Sequence, residues 1–223
     1  VDTARQYGNQ RFVGQGIADS PIAREELFVA TKIVNEDQPG TEYDDVIAAA
    51  EDCLEKLGVE YVDLMYVHWP LGVYDPAITM PAFDELRQDG KIRHVGLSNF
   101  GPDQLDAARD HLDAPIAAHQ VEMHPLLHQE ELLAYAREDD HWLVAYSPLA
   151  KGRVMELPEL EAIAEKHDAS PAQVSLAWLL SKDNVAAIPK ASSREHLVDN
   201  LAARDLELDD EDIARIDGIE REH

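Results

Sequence analysis

Apolar runs of about four to eight residues alternate along the chain with longer stretches whose apolar positions recur at helical spacing. The runs predict strands over residues 27–32, 61–68, 94–98, 117–122, 142–146 and 185–188. A helix is expected to open at Thr41, with Asp44 three positions on, and to close near Gly58. Further helices are expected from Pro81 to Gly90, after Pro102, and over 129–138, 158–166, 194–203 and 209–216. Another starts at Ser170-Pro171, where Gln173 occupies the capping-box position.

Each predicted strand is apolar enough to be buried on both faces, which with the strand–helix alternation points to βαβ units and a parallel sheet. No Gly-x-Gly-x-x-Gly follows a strand near the start, which counts against a doubly wound dinucleotide fold. Polar residues instead stand at the C-terminal ends of the strands: Lys32, His68, Ser98-Asn99, Gln120 and Glu122, Tyr146-Ser147 and Lys190. In a (β/α)8 TIM barrel those ends meet at one mouth. The expectation is therefore one barrel domain over 1–223, with the first two strands missing from this chain. The start at Val1, inside chemically dense sequence, adds to the reading of an N-terminally incomplete barrel. Asp2 would then sit where nothing holds it, and the span by itself is expected to fold poorly.

Composition narrows the classes. Asp and Glu number 45 against 19 Lys and Arg, a net charge of -26, spread along the chain. Such a surface is either simply well solvated or adapted to high salt, where carboxylate repulsion is screened; the salt-adapted, halophilic reading is preferred. Nucleic acid is excluded as a partner, since its phosphates would be repelled. Cys53 is the single cysteine and is expected to be a small buried residue. No apolar run has the ~18 residues of a membrane span. A cytoplasmic monomer is the expectation.

The polar strand ends suit one task. Reducing a carbonyl requires a proton donor at the oxygen, a group that polarises the C=O bond, and a hydride source behind the carbon. A free tyrosine, with a pKa of about 10, donates slowly at neutral pH. Lys32 beside Tyr7 would favour the phenolate and make the phenol a better acid, and Asp2 would hold that lysine charged. His68 can donate a hydrogen bond to the carbonyl, and Trp69 can wall the pocket.

The segment Val1-Asp2-Thr3-Ala4-Arg5-Gln6-Tyr7-Gly8-Asn9-Gln10 resembles the first signature of the aldo-keto reductases. Thr31-Lys32-Ile33, His68-Trp69-Pro70, Gly96-Leu97-Ser98-Asn99-Phe100, Gln120-Val121-Glu122-Met123-His124-Pro125, Tyr146-Ser147-Pro148-Leu149 and Ile188-Pro189-Lys190 follow in that family's order. The resemblance implies a tetrad of Asp2, Tyr7, Lys32 and His68, with Tyr7 as general acid. It implies that Ser98, Asn99 and Gln120 bond the nicotinamide carboxamide and that Tyr146 stacks on its ring. Ser147 and Leu149 would line the pyrophosphate channel. The cofactor implied is NADPH, with NADH as a possible second donor, and a small carbonyl compound is the substrate.

The chain departs from the family pattern after Ile188-Pro189-Lys190, where Ala191 and His196 replace a serine and an arginine that grip the 2′-phosphate. Lys190 remains, Ser192 and Ser193 can donate hydroxyls and Arg194 lies nearby, while His196 is a weaker, pH-dependent phosphate partner than an arginine fork. Asp199 and Asn200 match the adenine-side positions, Asp199 equally readable as one more solvated acid. Ala150 replaces a glycine, a change expected to matter little. Short loops after His68 and Ala150 resemble the microbial branch that reduces 2,5-diketo-gluconate, methylglyoxal and small aldehydes. Two alternatives stay open: a cofactor-binding regulatory subunit on the same scaffold, and an enzyme working mainly as an alcohol or sugar dehydrogenase. His119, His124 and His128, with Glu122, lack the spacing of one helical face, so no metal is expected.

Overall fold

The computed structural model describes residues 1–34, 42–72 and 74–220, and the helix start expected at Thr41 lies outside them. Among the described residues, six strands follow one another in the sheet in sequence order. They are β1 (Ala30–Ile33), β2 (Val62–Val67), β3 (Ile92–Ser98), β4 (Ile116–Glu122), β5 (Trp142–Tyr146) and β6 (Val185–Ala187). Parallel pairing and the helices between strands make this the (β/α)8-barrel class, six of whose strands lie among the described residues. Backbone proximity groups the chain into two units, Val1–His119 and Gln120–His223.

In the first unit, β1, β2 and β3 pair in parallel, with Lys32 opposite Tyr66 and Tyr66 opposite Gly96. β1 and β2 are buried along their whole length, as expected of strands covered on both faces. The helices are α1 (Gln10–Ala18), α2 (Tyr43–Leu57), α3 (Pro76–Gln88) and α4 (Pro102–Arg109). α2 closes at Gly58, whose left-handed φ of 65° suits glycine. Val46, Ala50 and Leu57 of α2 and Phe83 and Leu86 of α3 are buried with the strand residues Val62, Met65 and Val95.

Several elements differ from the pattern-based expectation. β1 begins at Ala30 because Leu27 closes a 3-10 turn onto Arg24, and the Val29 N–H donates to the Asp63 carboxylate at 2.9 Å. α3 begins at Pro76, not Pro81, because Asp75 caps it by accepting from the Ala77 N–H. Both prolines suit a first helical turn, and only the capping partner separates them. β6 ends one residue earlier than expected. α1 is unforeseen, since Gly14 and Gly16 weaken its helical propensity. Gly14 is there for packing: a β-carbon on it would lie 2.7 Å from the carbonyl carbon of Leu57, so α1 approaches α2 through that glycine.

In the second unit α5 (Glu130–Glu138), α6 (Pro158–His167), α7 (Pro171–Leu180), α8 (Arg194–Ala202) and α9 (Asp210–Asp217) accompany β4 to β6. Its core gathers Val121, Leu143, Ala145, Val154, Leu179 and Trp178. The expected capping box forms: the Ser170 hydroxyl accepts from the Gln173 N–H, and the Gln173 side chain accepts from the Ser170 N–H at 2.9 Å. Lys166, in the last turn of α6, bonds Asp209, which caps α9, and Asp212 in its first turn at 2.6 and 2.8 Å.

Gly14→Ala is expected to lower stability by about 2 kcal/mol through overpacking against Leu57. Gly16→Ala, which meets nothing within 4 Å, should be neutral or stabilise by up to ~1 kcal/mol through helix propensity. Urea denaturation of the two variants checks this; an undisturbed Gly14→Ala would mean that α1 does not sit on Leu57.

Candidate active site

Lys32 lies in β1 with only 1% of its side chain exposed. A buried ammonium needs charged and polar partners to offset lost hydration. Asp2 supplies an ion pair, and the Thr3 carbonyl accepts a second hydrogen bond from Nζ at 3.0 Å. Burial pushes the lysine below its ordinary pKa against the pull of Asp2. Asp2 is not unsupported, contrary to expectation. It forms a parallel bridge with Ala30, where the Thr3 N–H donates to the Ala30 carbonyl at 3.0 Å and the Ala30 N–H to the Val1 carbonyl at 2.8 Å. Below the ammonium, the Tyr66 ring lies 5.8 Å from Nζ. Gly96 makes room for it, since a β-carbon there would come within 2.5 Å of the ring.

The segment after Asp2 folds back over this pair. Ala4 is fully buried, Arg5–Tyr7 form a single 3-10 turn, and Gly8 leaves it at a φ of 65°. Tyr7 is thereby set with its ring centroid 5.3 Å from the Lys32 ammonium, while 53% of the residue stays exposed. Its ring meets that of His68 edge-on, centroids 5.9 Å apart. Burial, then the Asp2 carboxylate, holds the phenol above its ordinary pKa. The expected acidification by Lys32 is therefore corrected: the lysine's charge is balanced by Asp2, whose own charge acts on the phenol in the opposite sense. The result keeps Tyr7 protonated at neutral pH, the state a proton donor requires.

His68 follows β2, its N–H bonded to the Ile33 carbonyl at 2.8 Å. Burial, then the Lys32 charge, pushes the imidazole down to about 4, so it is neutral near pH 7 and can donate one ring N–H. Trp69 stands beside it with centroids 6.1 Å apart. Asn99, at a φ of 65° just past β3, donates to the His68 carbonyl at 3.1 Å and to the Ser98 hydroxyl at 3.0 Å. The buried His119 ring accepts from the Phe100 N–H at 3.2 Å and so fixes the same bend. The four tetrad positions thus come together in the first unit, with Trp69, Ser98 and Asn99 at the same strand ends.

In the second unit Gln120 is buried near the end of β4, and Tyr146, half-buried, ends β5. The following residues run through left-handed backbone: φ is 47° at Ser147, 46° at Ala150, 56° at Lys151 and 96° at Gly152. For Ala150 that conformation costs roughly 1 kcal/mol, while its buried methyl group contributes about 0.8 kcal/mol. The two nearly cancel, which is why this position accepts alanine. Sequence reasoning missed Ser175: in the middle of apolar α7, it donates from its hydroxyl to the Pro148 carbonyl at 2.8 Å and ties down the loop carrying Ser147 and Leu149. Its one signal was a polar residue in an apolar helix.

Lys190 and Ser192 are exposed ahead of α8, Ser193 caps that helix by accepting from the His196 N–H, and Asn200 is half-buried. Lys190 and Arg194 bring two cations, beside Glu195 and His196, to the start of α8, where a helix N-terminus favours an anion such as a phosphate. Asp199 has another task. Its carboxylate accepts from Ser170 at 3.1 Å and from Gln173 at 2.9 Å, which anchors α8 to the cap of α7. The clustered histidines serve packing: the Leu126 N–H donates to His124 at 3.2 Å, and His128 bonds the Pro125 carbonyl at 2.8 Å beside Trp178. No helix among the described residues is long and apolar enough to cross a membrane.

The sequence profile of the Aldo/keto reductase family matches residues 1–221. Glyoxal reductase of Bacillus subtilis is 40% identical over 222 residues, which cover 100% of this chain and 79% of that protein. A 9,11-endoperoxide prostaglandin H2 reductase of Trypanosoma cruzi is 36% identical over 222 residues, 98% of this chain and 77% of that one. Among solved structures, a protein provisionally named 2,5-diketo-D-gluconic acid reductase B superposes with a TM-score of 0.95 at 38% identity, covering 99% of this chain and 78% of its own.

The depressed pKa of His68 has a measurable consequence. In the unfolded chain a histidine titrates near 6.5, so on acidification the unfolded state takes up this proton first. The contribution of His68 to stability is complete above about pH 6.5 and is lost as pH falls towards 4. Urea melts at about pH 7 and pH 5 should show a smaller loss for His68→Gln than for the parent chain. Equal losses would mean that the folded imidazole titrates normally.

Proposed function

Because the chain belongs to the Aldo/keto reductase family and is an oxidoreductase acting on carbonyl compounds, we propose that it is an NAD(P)H-dependent reductase of small aldehydes, ketones or keto-sugars, with Tyr7 as general acid. One observation carries this reading: a buried, ion-paired lysine stands beside the Tyr7 ring, which meets the His68 ring edge-on. When bound, the reduced nicotinamide supplies the hydride that the carbonyl carbon accepts. The protein's own groups act on the oxygen. His68 donates a hydrogen bond from its neutral ring and polarises the C=O bond. Tyr7 transfers its proton to that oxygen, completing the alcohol, and the Lys32 ammonium stabilises the phenolate left behind. Asp2 keeps the lysine charged. Trp69, next to His68, supplies an apolar wall for the substrate.

For the cofactor we propose Ser98, Asn99 and Gln120 as partners of the carboxamide and Tyr146 as the stacking ring. Ser147 and Leu149 would lie along the pyrophosphate, and Lys190, Ser192, His196 and Asn200 at the adenosine end. The basic start of α8 supports NADPH, and His196 in place of an arginine supports weakened discrimination against NADH. The names of the relatives support small dicarbonyl and keto-sugar substrates. The excess of 45 acids over 19 basic residues supports a salt-adapted protein, and a single buried cysteine fits a reducing, cytoplasmic compartment.

Tyr7→Phe should reduce turnover of glyoxal at least about a hundredfold while leaving cofactor binding, read by tryptophan fluorescence, nearly unchanged. Retained turnover would refute the proposed acid. The same assay with both cofactors should give a preference for NADPH below about a thousandfold, since one arginine–phosphate contact is weakened; a larger ratio overturns that part. The melting temperature should climb by several degrees between about 0.1 M and about 2 M KCl as repulsion is screened. A flat response would leave the acidic surface as ordinary solvation.

A further inference from the structure

The exposed Tyr7 ring has little packed against its outer side, so its placement depends on the backbone turn that carries it. Arg5 within that turn is ion-paired to Asp52 of α2 at 3.2 Å, and one side-chain contact closes the turn across its base. The Thr3 hydroxyl, in a fully buried residue, donates to the Asn9 side-chain oxygen at 2.7 Å across the base of the turn. Inside this clamp the Tyr7 N–H donates to the Ala4 carbonyl at 3.1 Å and the Gly8 N–H to the Arg5 carbonyl at 3.3 Å.

Two features argue that the clamp serves placement rather than helix stability. Asn9 occupies the N-cap position of α1, where an asparagine ordinarily accepts from the helix's own N–H groups. Here it makes no such bond, and its oxygen is turned to Thr3 instead. Thr3 also reaches the rest of the catalytic cluster, because its carbonyl accepts from the Lys32 ammonium and its N–H donates to Ala30. The next residue, Gln10, donates to the Thr31 hydroxyl at 2.9 Å and pins the start of α1 to the same strand. One residue therefore registers the proton donor against the ammonium that supports it.

We propose that Thr3, clamped on Asn9, is a positioning residue that sets the Tyr7 hydroxyl for proton transfer. The proposal rests on the reading of Tyr7 as general acid. Thr3→Val keeps the shape and removes the donor, and Thr3→Ser keeps the donor. Each is assayed with glyoxal and NADPH, and amide hydrogen exchange is followed at Tyr7 and Gly8. Thr3→Val should lower kcat at least about tenfold, in line with the sensitivity of transfer steps to small misplacements. KM should stay within about twofold, exchange at both amides should accelerate, and Thr3→Ser should stay near the parent.

Asn9→Ala, at an exposed position that tolerates truncation, should reproduce the loss, and the double variant should be no worse than either single one. It carries the test should Thr3→Val fail to fold. Unchanged kcat and exchange in Thr3→Val or Asn9→Ala overturns the proposal. So does an equal loss in Thr3→Ser, or a double variant whose losses multiply. A Tyr7→Phe variant with parental turnover would instead sink the proton-donor reading, whereas an inactive Tyr7→Phe beside a fully active Thr3→Val sinks the clamp alone. Should the parent chain show no turnover, the exchange comparison decides.

Discussion

An ammonium group taken out of water loses hydration worth several kcal/mol even after the protein relaxes around it. A carboxylate about 4 Å away returns about 4 kcal/mol at the effective dielectric of a protein edge, so one ion pair roughly breaks even and hydrogen bonds must supply the rest. Lys32 is in that position, and the first unit is arranged around it. β1 holds its backbone, Asp2 supplies the opposite charge, and the Thr3 carbonyl supplies the further acceptor. Gly96 gives the Tyr66 ring space beneath it. Removing Asp2 would leave a buried unpaired charge, the situation in which ion pairs matter most.

The same charge organises its neighbours' titration. Burial and Lys32 both disfavour a second cation at His68, which therefore stays neutral, while burial and Asp2 disfavour a phenolate at Tyr7. The cluster thus holds one retained charge pair and two neutral hydrogen-bond donors. That division suits reduction at a carbonyl oxygen, where a hydrogen bond is needed first, a proton next, and a cation only when the phenolate appears.

In the second unit the organising element is the loop after β5. Its left-handed residues turn the chain sharply, and Ser175 ties it to α7. α7 in turn receives Asp199 from α8 at its capping box, so one helix braces both the loop and the basic helix start. These contacts join residues 26 to 29 positions apart in sequence.

Much of this was legible in the chain itself. Strands buried on both faces announce themselves as unbroken apolar runs, glycine at Gly58 and the Ser170–Gln173 box mark helix ends, and the seven motifs in order identify the family. These signals are local because backbone conformation and burial act on consecutive residues. Tertiary contacts decided the rest. The choice between Pro76 and Pro81 as the opening of α3 was the exception, set by a local bond, the Ala77 N–H donating to the Asp75 carboxylate. α1 went unseen because a glycine that lowers helix propensity was required by the approach of Leu57. The direction of the Tyr7 shift could not follow from Lys32 alone, since the field at a buried group is the sum over all charges near it. Sequence by itself determined the alternation of strands and helices and the family to which the chain belongs. Only the folded chain decided the partners and protonation of the polar side chains, because those depend on burial and on distances between residues far apart in the chain.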